Sequence, residues 1–367
     1  MSDAPDLVAL RARIDELDDR LLDLLDDRAR VAEAIGRVKR ERAAVTLHDP
    51  EREERVLSRL AARQAARGAA AFPAASVRPV FREVMSACLS LEQPIAVGYL
   101  GPPGTFTHLA ARTAFGLAAR YVESSTIGGV FEAVERGRVA VGVVPMENST
   151  EGSVTFTLDG FLEHEVQIRS ELVLDVAQCL LASFDDLARV ERVYSHPQAI
   201  AQCRRWLASN LPQAQIVTTP STAAAAREAE QDDAGAAIAS RLAAELGGLR
   251  VIREAIQDRA LNATRFVVLA PQDAPPTGDD RTSLVFSTPN ERGALRRALD
   301  AFEAEGVNLS RIESRPAGDR PWEYVFFTDL DGHRADPAVS AALDRLRGLG
   351  GLLRVLGSYP RARRSGG

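Results

Sequence analysis

The sequence predicts three folded regions: an all-helical region, a bilobed α/β region and a small βαββαβ region. Residues 1–93 carry apolar positions at helical spacing without strand-like alternation, whereas residues 94–271 alternate β-branched runs with helical stretches. QDAPPTGDD is rich in Pro, Gly and Asp, so we predict a linker over residues 272–281. The smaller α/β pattern occupies residues 282–360, and the basic tail 361–367 is expected to be disordered.

The composition argues against several classes of function. The formal net charge is −6 and aromatic residues make up 5% of the 367 residues, which argues against a nucleic-acid or anionic-membrane surface. No apolar run approaches the roughly 20 residues of a membrane span, and the acidic N-terminus is unlike a secretory signal. Cys88, Cys179 and Cys203 cannot all pair, so neither a disulfide framework nor a zinc site is indicated. We therefore expect a cytoplasmic protein.

The first region is predicted to begin with one long helix over residues 6–41. Apolar residues from Leu10 to Val38 alternate spacings of three and four, which forms a single stripe along that helix. Two short helices cannot cover so long a stripe, so we expect a helical dimer. A second helix is predicted with Asp49 as N-cap and Pro50 as its first residue, and a third over residues 76–92.

Arg28 occupies a stripe position where an apolar residue is due. A guanidinium facing a core needs an anionic partner, and Lys39, the only lysine among 45 basic residues, lies on the same face. The pair favours an anion site, although an internal ion pair would also explain Arg28. Arg11 lies 17 residues before Arg28, roughly 25 Å along the helix, so it is either solvated or supplied to that site by a partner subunit. Glu92 borders the stripe of the third helix, either as a protonated hydrogen-bond donor or in a frayed turn.

These features resemble the helical chorismate mutase domain of bacterial bifunctional chorismate mutase/prephenate dehydratases. The resemblance is carried by LRARIDELDDRLLDLLDDR, GRVK, DPEREERVL and FREVMSACLSLEQP, in nearly all of residues 5–93. It implies an intertwined dimer that binds chorismate carboxylates through Arg28 and the partner subunit's Arg11, with Lys39 at the ether oxygen. The other positions that it implies at this site are Asp49, Arg52, Glu53, Cys88 and Glu92; the family often has serine and glutamine at the last two.

The chemistry of this rearrangement suits such residues. Conversion of chorismate to prephenate needs no proton transfer and no covalent intermediate. The enzyme must hold a compact dianionic conformer and stabilise charge that develops on the ether oxygen. Rigid cations such as Arg28 and Lys39, with Glu92 as a protonated donor, match that requirement without a cofactor.

Candidate chemistry in the middle region lies on loops after strands, where open α/β sheets bind ligands. The loops are GPPGTFTH at 101–108, ENSTEGS at 147–153, YSHPQA at 194–199 and NATRF at 262–266. Each alone is more often structural, through capping or packing, than functional, but four together indicate a cleft between two lobes, as in the topology of periplasmic binding proteins. The side chains concerned are Thr105, Asn148, Ser149, Ser195, His196, Gln198, Thr264, Arg265 and Phe266.

In this order, GPPGTFTH, VGVVPMENSTEGSV, SHPQAIAQCRRWL and NATRFVVL resemble prephenate dehydratase. The resemblance implies that the Thr264 hydroxyl assists departure of the ring hydroxide, that Arg265 and Phe266 help to form the substrate site, and that the other side chains line the cleft. Prephenate would lose CO₂ and water to give phenylpyruvate. Because aromatisation supplies much of the driving force, carboxylate binding and protonation of the leaving hydroxyl suffice, without a metal or redox cofactor.

The C-terminal region has the βαββαβ order of a ferredoxin-like fold. Two of its motifs resemble those of the ACT domain that is appended to prephenate dehydratases, although Arg292 stands where that family often has proline. The implied ligand is L-phenylalanine at a dimer interface, acting as a feedback inhibitor. The motif residues are Gly293, Ala294 and Leu295, followed by Glu313, Ser314, Arg315 and Pro316.

Taken together, the three regions indicate a homodimeric bifunctional enzyme of L-phenylalanine biosynthesis. Two alternatives are a dehydratase whose helical region serves only for dimerisation, and a non-catalytic sensor that binds a small acid. Arg28 argues against the first, because a purely structural stripe would favour leucine there. Lys39 and Thr264 argue against the second, because binding alone needs neither an ether-oxygen donor nor a leaving-group acid.

Overall fold

The computed structural model describes residues 6–41, 50–68, 71–92, 95–259, 261–316 and 324–362, with side chains other than those of Arg40, Pro50 and Glu51. Two compact units are present. Residues 1–95 and 115–120 form the first unit, and residues 96–114 and 121–367 form the second. Across the described ranges, no helix is long and apolar enough to cross a membrane.

The first unit is built from three helices, as the sequence predicts. Helix α3 packs against both of the others, and its buried face includes Val77, Met85 and Cys88. Pro50 opens the second helix, a position that suits proline because the first helical N–H has no partner within the helix. The bounds are α1 Leu7–Glu41, α2 Pro50–Ala65 and α3 Ala74–Glu92.

The apolar stripe of α1 is exposed in the single chain. Leu24 is 65% exposed and Val31 60%, and Leu10, Ile14 and Val38 are also exposed. So long a run of exposed apolar side chains is typical of an interaction surface. The stripe is therefore available for the subunit contact that its spacing predicts.

Two lobes make up the middle region, in which strands and helices alternate. Its elements are β1 Ala96–Leu100, α4 Phe106–Phe115, β2 Arg120–Ser124, α5 Ile127–Glu135, β3 Val141–Asn148, β4 Gly152–Ser153, α6 Thr155–Glu163, β5 Gln167–Asp175, β6 Cys179–Ala182, a 3₁₀ turn Leu187–Arg189, β7 Arg192–Ser195, α7 Pro197–Gln202, α8 Arg204–Asn210, β8 Gln215–Thr218, α9 Thr222–Glu230, β9 Gly235–Ala239, α10 Arg241–Gly247, β10 Arg250–Arg253 and β11 Ala263–Ala270.

Each lobe has its own sheet. In the first lobe the strand order is β2-β1-β3-β11-β5, with β4 paired to β3; in the second it is β10-β6-β9-β7-β8. The chain passes between the lobes at residues 176–178 and again at residues 254–262. Because β11 returns to the first lobe between β3 and β5, the segment that leads back from the second lobe ends next to the turn after β3.

The C-terminal domain confirms the predicted βαββαβ order. Its strands form an antiparallel sheet in the order β13-β14-β12-β15. The first strand begins at Asp280, inside the predicted linker. The elements are β12 Asp280–Ser287, α11 Ala294–Glu303, β13 Leu309–Pro316, β14 Tyr324–Asp331, α12 Pro337–Arg347 and β15 Leu353–Pro360.

This small sheet packs against other elements on both faces, although alternate residues of its edge strand β13 are exposed. One face packs under α11 and α12 through residues such as Leu284 and Phe302. On the other face, Phe327 and Tyr359 share a core with Ile168 of β5 and Val267 of β11. The C-terminal domain is thus packed directly on the sheet of the first lobe.

Gly142 on β3 tests how tightly that lobe is packed. A Cβ atom at Gly142 would lie 2.6 Å from Val130 Cγ1 and 2.9 Å from Val134 Cγ2 of α5. Gly142→Ala should therefore lower the free energy of unfolding by about 1–3 kcal/mol. The matched control is Gly128→Ala on α5, where a Cβ atom meets nothing within 4 Å. Urea unfolding compares the two variants, and equal midpoints would contradict the packing described here.

Candidate active sites

The predicted mutase residues lie along the contact between α1 and α3. Arg28 is half-buried, and its Nη1 donates to the carbonyl of Val84 at 3.3 Å. Lys39 Nζ lies 2.9 Å from Glu92 Oε2, with 38% and 15% of the two side chains exposed. Val84, Cys88 and Glu92 follow one another at intervals of four, so they form one face of α3. The structure thus brings Arg28, Lys39, Cys88 and Glu92 to one helix interface.

The remaining predicted chorismate ligands that the structure describes lie near the start of α1 and on α2. Arg11 is exposed near the start of α1, far from Arg28, as its spacing requires for a residue that serves another subunit's site. On α2, Arg52 is exposed and Glu53 half-buried. Asp49 lies outside the described residues.

Thr264 and Asn148 face one another at the edge of the first lobe. They are paired in the register of β11 and β3, and both are buried. Asn148 Oδ1 accepts from the backbone N–H of Thr150 at 2.9 Å, so the amide nitrogen must point the other way. Asn148 Nδ2 accordingly donates to Thr264 Oγ1 at 2.9 Å. The hydroxyl oxygen of Thr264 is thereby used as an acceptor, which leaves its proton to be donated elsewhere.

Two further predicted hydroxyls shape the loops around this pair. Ser149 Oγ accepts from the backbone N–H of Ala263 at 3.0 Å, which holds the ENSTEGS turn against β11. Thr105 Oγ1 donates to the carbonyl of Leu100 at 3.1 Å and accepts from the N–H of His108 at 3.3 Å. Thr105 therefore stabilises the first turn of α4 in this structure.

The YSHPQA loop approaches the first lobe from the second. Ser195 is fully buried and donates to the carbonyl of Ile238 at 2.7 Å, so its hydroxyl joins β7 to β9. His196 caps α7, with Nδ1 accepting from the N–H of Gln198. Gln198 donates in turn to the carboxylate of Glu151, which belongs to the ENSTEGS turn. The structure therefore brings together two loops that are about 50 residues apart in the chain.

Arg265 and Phe266 are placed differently from Thr264. Because successive residues of a strand point to opposite faces, the Arg265 side chain leaves β11 on the side away from Thr264. Its guanidinium contacts Glu171 and Asp329, each at 2.6 Å, and the Tyr359 hydroxyl at 2.8 Å. Phe266 is 1% exposed. Arg265 therefore joins the first lobe to the C-terminal domain in this structure, and Phe266 is part of the buried interior.

Two buried carboxylates pair with the guanidinium of Arg265. Glu171 and Asp329 are each only 2% exposed, and Arg281 also pairs with Glu171 at 2.7 Å. Burial alone would raise the pKa of Asp329, but the charges of Arg265 and Arg311 and the hydrogen bond from Ser283 outweigh it, so the pKa is lowered. Tyr359 has a raised pKa, chiefly because it is buried. Asp329 is thus an ionised partner that Arg265 needs.

The predicted phenylalanine motifs occupy α11 and β13. Gly293 is the N-cap of α11 and adopts a φ of +80°, a conformation that favours glycine; Ala294 is buried and Leu295 partly buried. Alternation along β13 divides the second motif between two faces. Glu313 and Arg315 contact Ser153 and Asp159 of the first lobe, whereas Ser314 and Pro316 are exposed on the opposite face.

Several residues that support these sites were not predicted from the sequence. Glu151 and Asn262 lie inside motifs that the sequence singles out, and Gln202 lies one helical turn after Gln198, so each could have been found by spacing. Glu171 and Asp329 carry no local signal, because only the packing of two sheets brings them to Arg265. Among the described residues, no three His, Cys, Asp or Glu side chains are grouped as a metal ion would require.

Comparison with known proteins agrees with this geometry. Residues 10–93 match the family described as chorismate mutase type II, residues 97–274 match prephenate dehydratase, and residues 282–348 match the ACT domain. A bifunctional chorismate mutase/prephenate dehydratase from Aquifex aeolicus is 45% identical over 357 residues, covering 97% of this chain and 98% of that protein.

Two solved structures are similar to the second unit. The prephenate dehydratase from Arthrobacter aurescens in complex with L-Phe is 38% identical, with a TM-score of 0.68, and the match covers 73% of this chain and 90% of that one. A structure described as a novel type of quorum quenching acylase is 31% identical, with a TM-score of 0.67, over 73% of this chain and 98% of that one. The two-lobed fold with its C-terminal domain is therefore shared with proteins of different described activities.

The pairing of Asp329 with Arg265 predicts a pH-dependent stability. Since its pKa is lowered on folding, ionised Asp329 contributes stability above its ordinary pKa, and this is lost as the pH falls through the folded-state pKa. Asp329→Asn should therefore cost about 3 kcal/mol at neutral pH and progressively less in acid.

Urea unfolding midpoints at neutral and acid pH measure this difference. The matched control is Asp344→Asn, because Asp344 is exposed and its one ion pair among the described residues is with Arg347 on its own helix. A cost for Asp329→Asn that did not change with pH would show that the lost hydrogen bonds, rather than the charge, account for the effect.

Proposed function

The chain belongs to the family of bifunctional chorismate mutase/prephenate dehydratases, and we propose that its two active sites lie at the α1–α3 interface and at the Asn148–Thr264 pair. The first rearranges chorismate to prephenate. The second converts prephenate to phenylpyruvate with loss of CO₂ and water, under feedback inhibition by L-phenylalanine. The cytoplasm is part of the same proposal, since the three cysteines are free thiols, which persist in reducing compartments.

The hydrogen bond from Asn148 to Thr264 carries the dehydratase proposal. Loss of the substrate carboxylate as CO₂ supplies the electron pair that expels the ring hydroxyl, and that leaving oxygen needs a hydrogen-bond donor or a proton. Thr264 Oγ1 is already an acceptor for Asn148 at 2.9 Å, so its proton is directed at the substrate. Thr105, Ser149, Ser195, His196 and Gln198 belong to the loops that hold the cleft, with Arg265 and Phe266 on the same strand as Thr264.

The mutase proposal rests on the positively charged side chains at the α1–α3 interface. Arg28 and Lys39 both face α3, and in the absence of substrate Lys39 is held by Glu92 at 2.9 Å. A dianionic substrate would pair with these cations. Lys39 and Glu92 would then lie at its ether oxygen, and Cys88 would line the site. Asp49, Arg52 and Glu53 complete the proposed set from the second helix and the residue before it.

A homodimer completes that site. The exposed apolar stripe of α1 supports a subunit contact along this helix. The partner subunit's Arg11 would then reach the substrate carboxylate that Arg28 of the first subunit does not bind. Small molecules are the only other partners proposed: chorismate, prephenate and the effector L-phenylalanine, with no nucleic acid or membrane.

The side chains of β13 alternate between two faces, and this supports a regulatory role for the C-terminal domain. Glu313 and Arg315 touch the first lobe, while Ser314 and Pro316 are exposed next to that contact. A ligand that binds Ser314, Pro316 and the Gly293–Leu295 turn would alter a strand that is also anchored to the catalytic lobe. L-phenylalanine bound there would inhibit if it binds the less active state more tightly.

The two chemical activities should be separable by single substitutions. Lys39→Ala should lower mutase kcat by at least about a hundredfold and leave turnover of added prephenate unchanged. Thr264→Val, which removes only the hydroxyl, should lower dehydratase kcat by about a hundredfold or more and leave the mutase intact. Thr264→Ser retains the hydroxyl and is the matched control.

Chorismate loss and phenylpyruvate appearance are followed separately for each variant. Prephenate should accumulate with Thr264→Val, and chorismate should persist with Lys39→Ala. If either substitution reduced both activities equally, the assignment of separate sites would be wrong.

Substitution of Ser314 should weaken feedback inhibition. Because Ser314 is exposed and has no side-chain hydrogen bond among the described residues, Ser314→Ala should not disturb the fold. We expect it to raise the L-phenylalanine concentration for half-inhibition by about tenfold, as the loss of a ligand hydrogen bond would. Ser310→Ala, on the same face of β13, is the control, and an unchanged inhibition curve for Ser314→Ala would count against the site. Arg315→Ala should act in the same direction through loss of the Asp159 contact.

A further inference from the structure

We propose that Asn262 is a positioning residue for the dehydration step. The Glu151 carboxylate fixes the orientation of neighbouring side-chain amides, and the carboxamide of Asn262 transmits that orientation to the amide of Asn148. This keeps the Thr264 proton free for the leaving hydroxyl. The inference rests on the proposed dehydratase function and assigns a role to two residues that the catalytic proposal does not use.

The carboxamides of three residues connect Glu151 to Thr264 without a break. Gln202 Nε2 donates to Glu151 Oε1 at 3.1 Å, and Asn262 Nδ2 donates to Gln202 Oε1 at 3.0 Å. Asn148 Nδ2 then donates to Asn262 Oδ1 at 3.1 Å and to Thr264 Oγ1 at 2.9 Å. We call this series of residues, from Glu151 to Thr264, the amide relay.

Both ends of the amide relay allow only one orientation. The Glu151 carboxylate can only accept, so Gln202 must present its NH₂ group there and its oxygen to Asn262. At the other end the Thr150 backbone N–H can only donate, so Asn148 must present its oxygen to Thr150 and its NH₂ group to Asn262 and Thr264. Asn262 lies between these constraints, and reversal of its amide would set donor against donor and acceptor against acceptor.

Burial makes such a reversal costly. Asn262 is 4% exposed, Asn148 9% and Thr264 8%, so water cannot readily replace a lost partner. Gln178, also buried, donates from Nε2 to Gln202 Oε1 at 3.1 Å and reinforces the same orientation. A single mismatch would therefore be resolved by rotation of a neighbouring amide, and of the two neighbours of Asn262 it is Asn148 that contacts Thr264.

The amide relay also passes through one of the two segments that connect the lobes and is contacted by a residue of the other. Asn262 and Gln178 lie on these segments, which are joined by the hydrogen bond from Val176 N to the Asn262 carbonyl at 2.7 Å. Glu151 and Thr264 belong to the first lobe, whereas Gln202 belongs to α7 of the second. Asn262 thus connects the relative position of the lobes to the hydroxyl that is proposed to act on the substrate.

Asn262→Asp tests the orientation directly. When the introduced carboxyl is protonated, it has an oxygen to accept from Asn148 and an O–H to donate to Gln202, so it reproduces asparagine. When it is ionised, it has only acceptors and sets an oxygen against Gln202 Oε1. Because burial raises the pKa of an unpaired carboxyl, we expect near-normal dehydratase kcat at low pH and a fall of about tenfold or more as the pH rises, with little change in KM.

Other ionisable groups surround this position in the variant and in the wild type alike. They are Asp175 opposite Ala263, Glu147 and Glu151 beside the Asn148 turn, His196 at the start of α7, and Asp258 and Arg259 on the same connecting segment. The pH profile is therefore taken as the ratio of variant to wild-type kcat, in which their contributions cancel. Mutase activity of the same chain, measured at each pH, controls for folding.

A second substitution should rescue the first. In Asn262→Asp with Glu151→Gln, Gln202 can turn its NH₂ group to the carboxylate at position 262 and accept from the new amide at position 151. Gln178 Oε1, which has no hydrogen-bond partner among the described residues, can then accept from Gln202. The double variant should recover most of the kcat lost at high pH. The charge-matched control, Asn262→Asp with Glu163→Gln, should not, because Glu163 is exposed at the end of α6.

Each outcome decides one point. A parallel profile for Asn262→Asp and the wild type would overturn the proposal, and so would equal recovery by Glu151→Gln and Glu163→Gln. An Asn262→Asp loss at all pH values without rescue would show a merely structural role. Failure of the proposed function is separate, because it would appear as a wild type without dehydratase activity or as full activity in Thr264→Val.

Discussion

The alternation of side chains along β11 is the constraint on which the second unit depends. Thr264 points to the carboxamides at the cleft, and the next residue, Arg265, points into the buried charges beneath the C-terminal domain. A shift of one residue in the register of this strand would exchange the two side chains and leave a guanidinium among amides. Pairing with β3 on one side and β5 on the other holds the register.

The electrostatics of the two proposed sites differ. At the α1–α3 interface the groups are charged: Arg28 donates to the carbonyl of Val84, and Lys39 pairs with Glu92. Around Thr264 the hydrogen-bonding neighbour is the neutral carboxamide of Asn148, from which Asn262 accepts in turn. A rearrangement that only redistributes charge calls for fixed cations, whereas a dehydration needs one hydroxyl proton in one direction.

The C-terminal domain is joined to the catalytic lobe by packing as well as by charge. Phe327 and Tyr359 share a core with the first lobe, and Arg265 is bound by Asp329 from the C-terminal sheet and by Glu171 from the catalytic lobe itself. A guanidinium that is buried with ionised partners is stable only while those partners stay in place. Any movement of the C-terminal sheet must therefore be accommodated by β11, the strand that carries Thr264.

Sequence alone predicted the family and the three-part organisation, and it singled out Lys39, Arg28 and Thr264 as candidates, because helical spacing, loop motifs and rare residue choices are local properties. It also predicted a long apolar stripe on α1, which the structure shows as exposed. Only the tertiary structure decided which way Arg265 points, that Ser195 is used within a sheet, and that Glu151, Gln202 and Asn262 adjoin Asn148. Those relations join residues that are from about 40 to more than 100 positions apart in the sequence, and such contacts follow from sheet order and the packing of lobes, which no local pattern encodes.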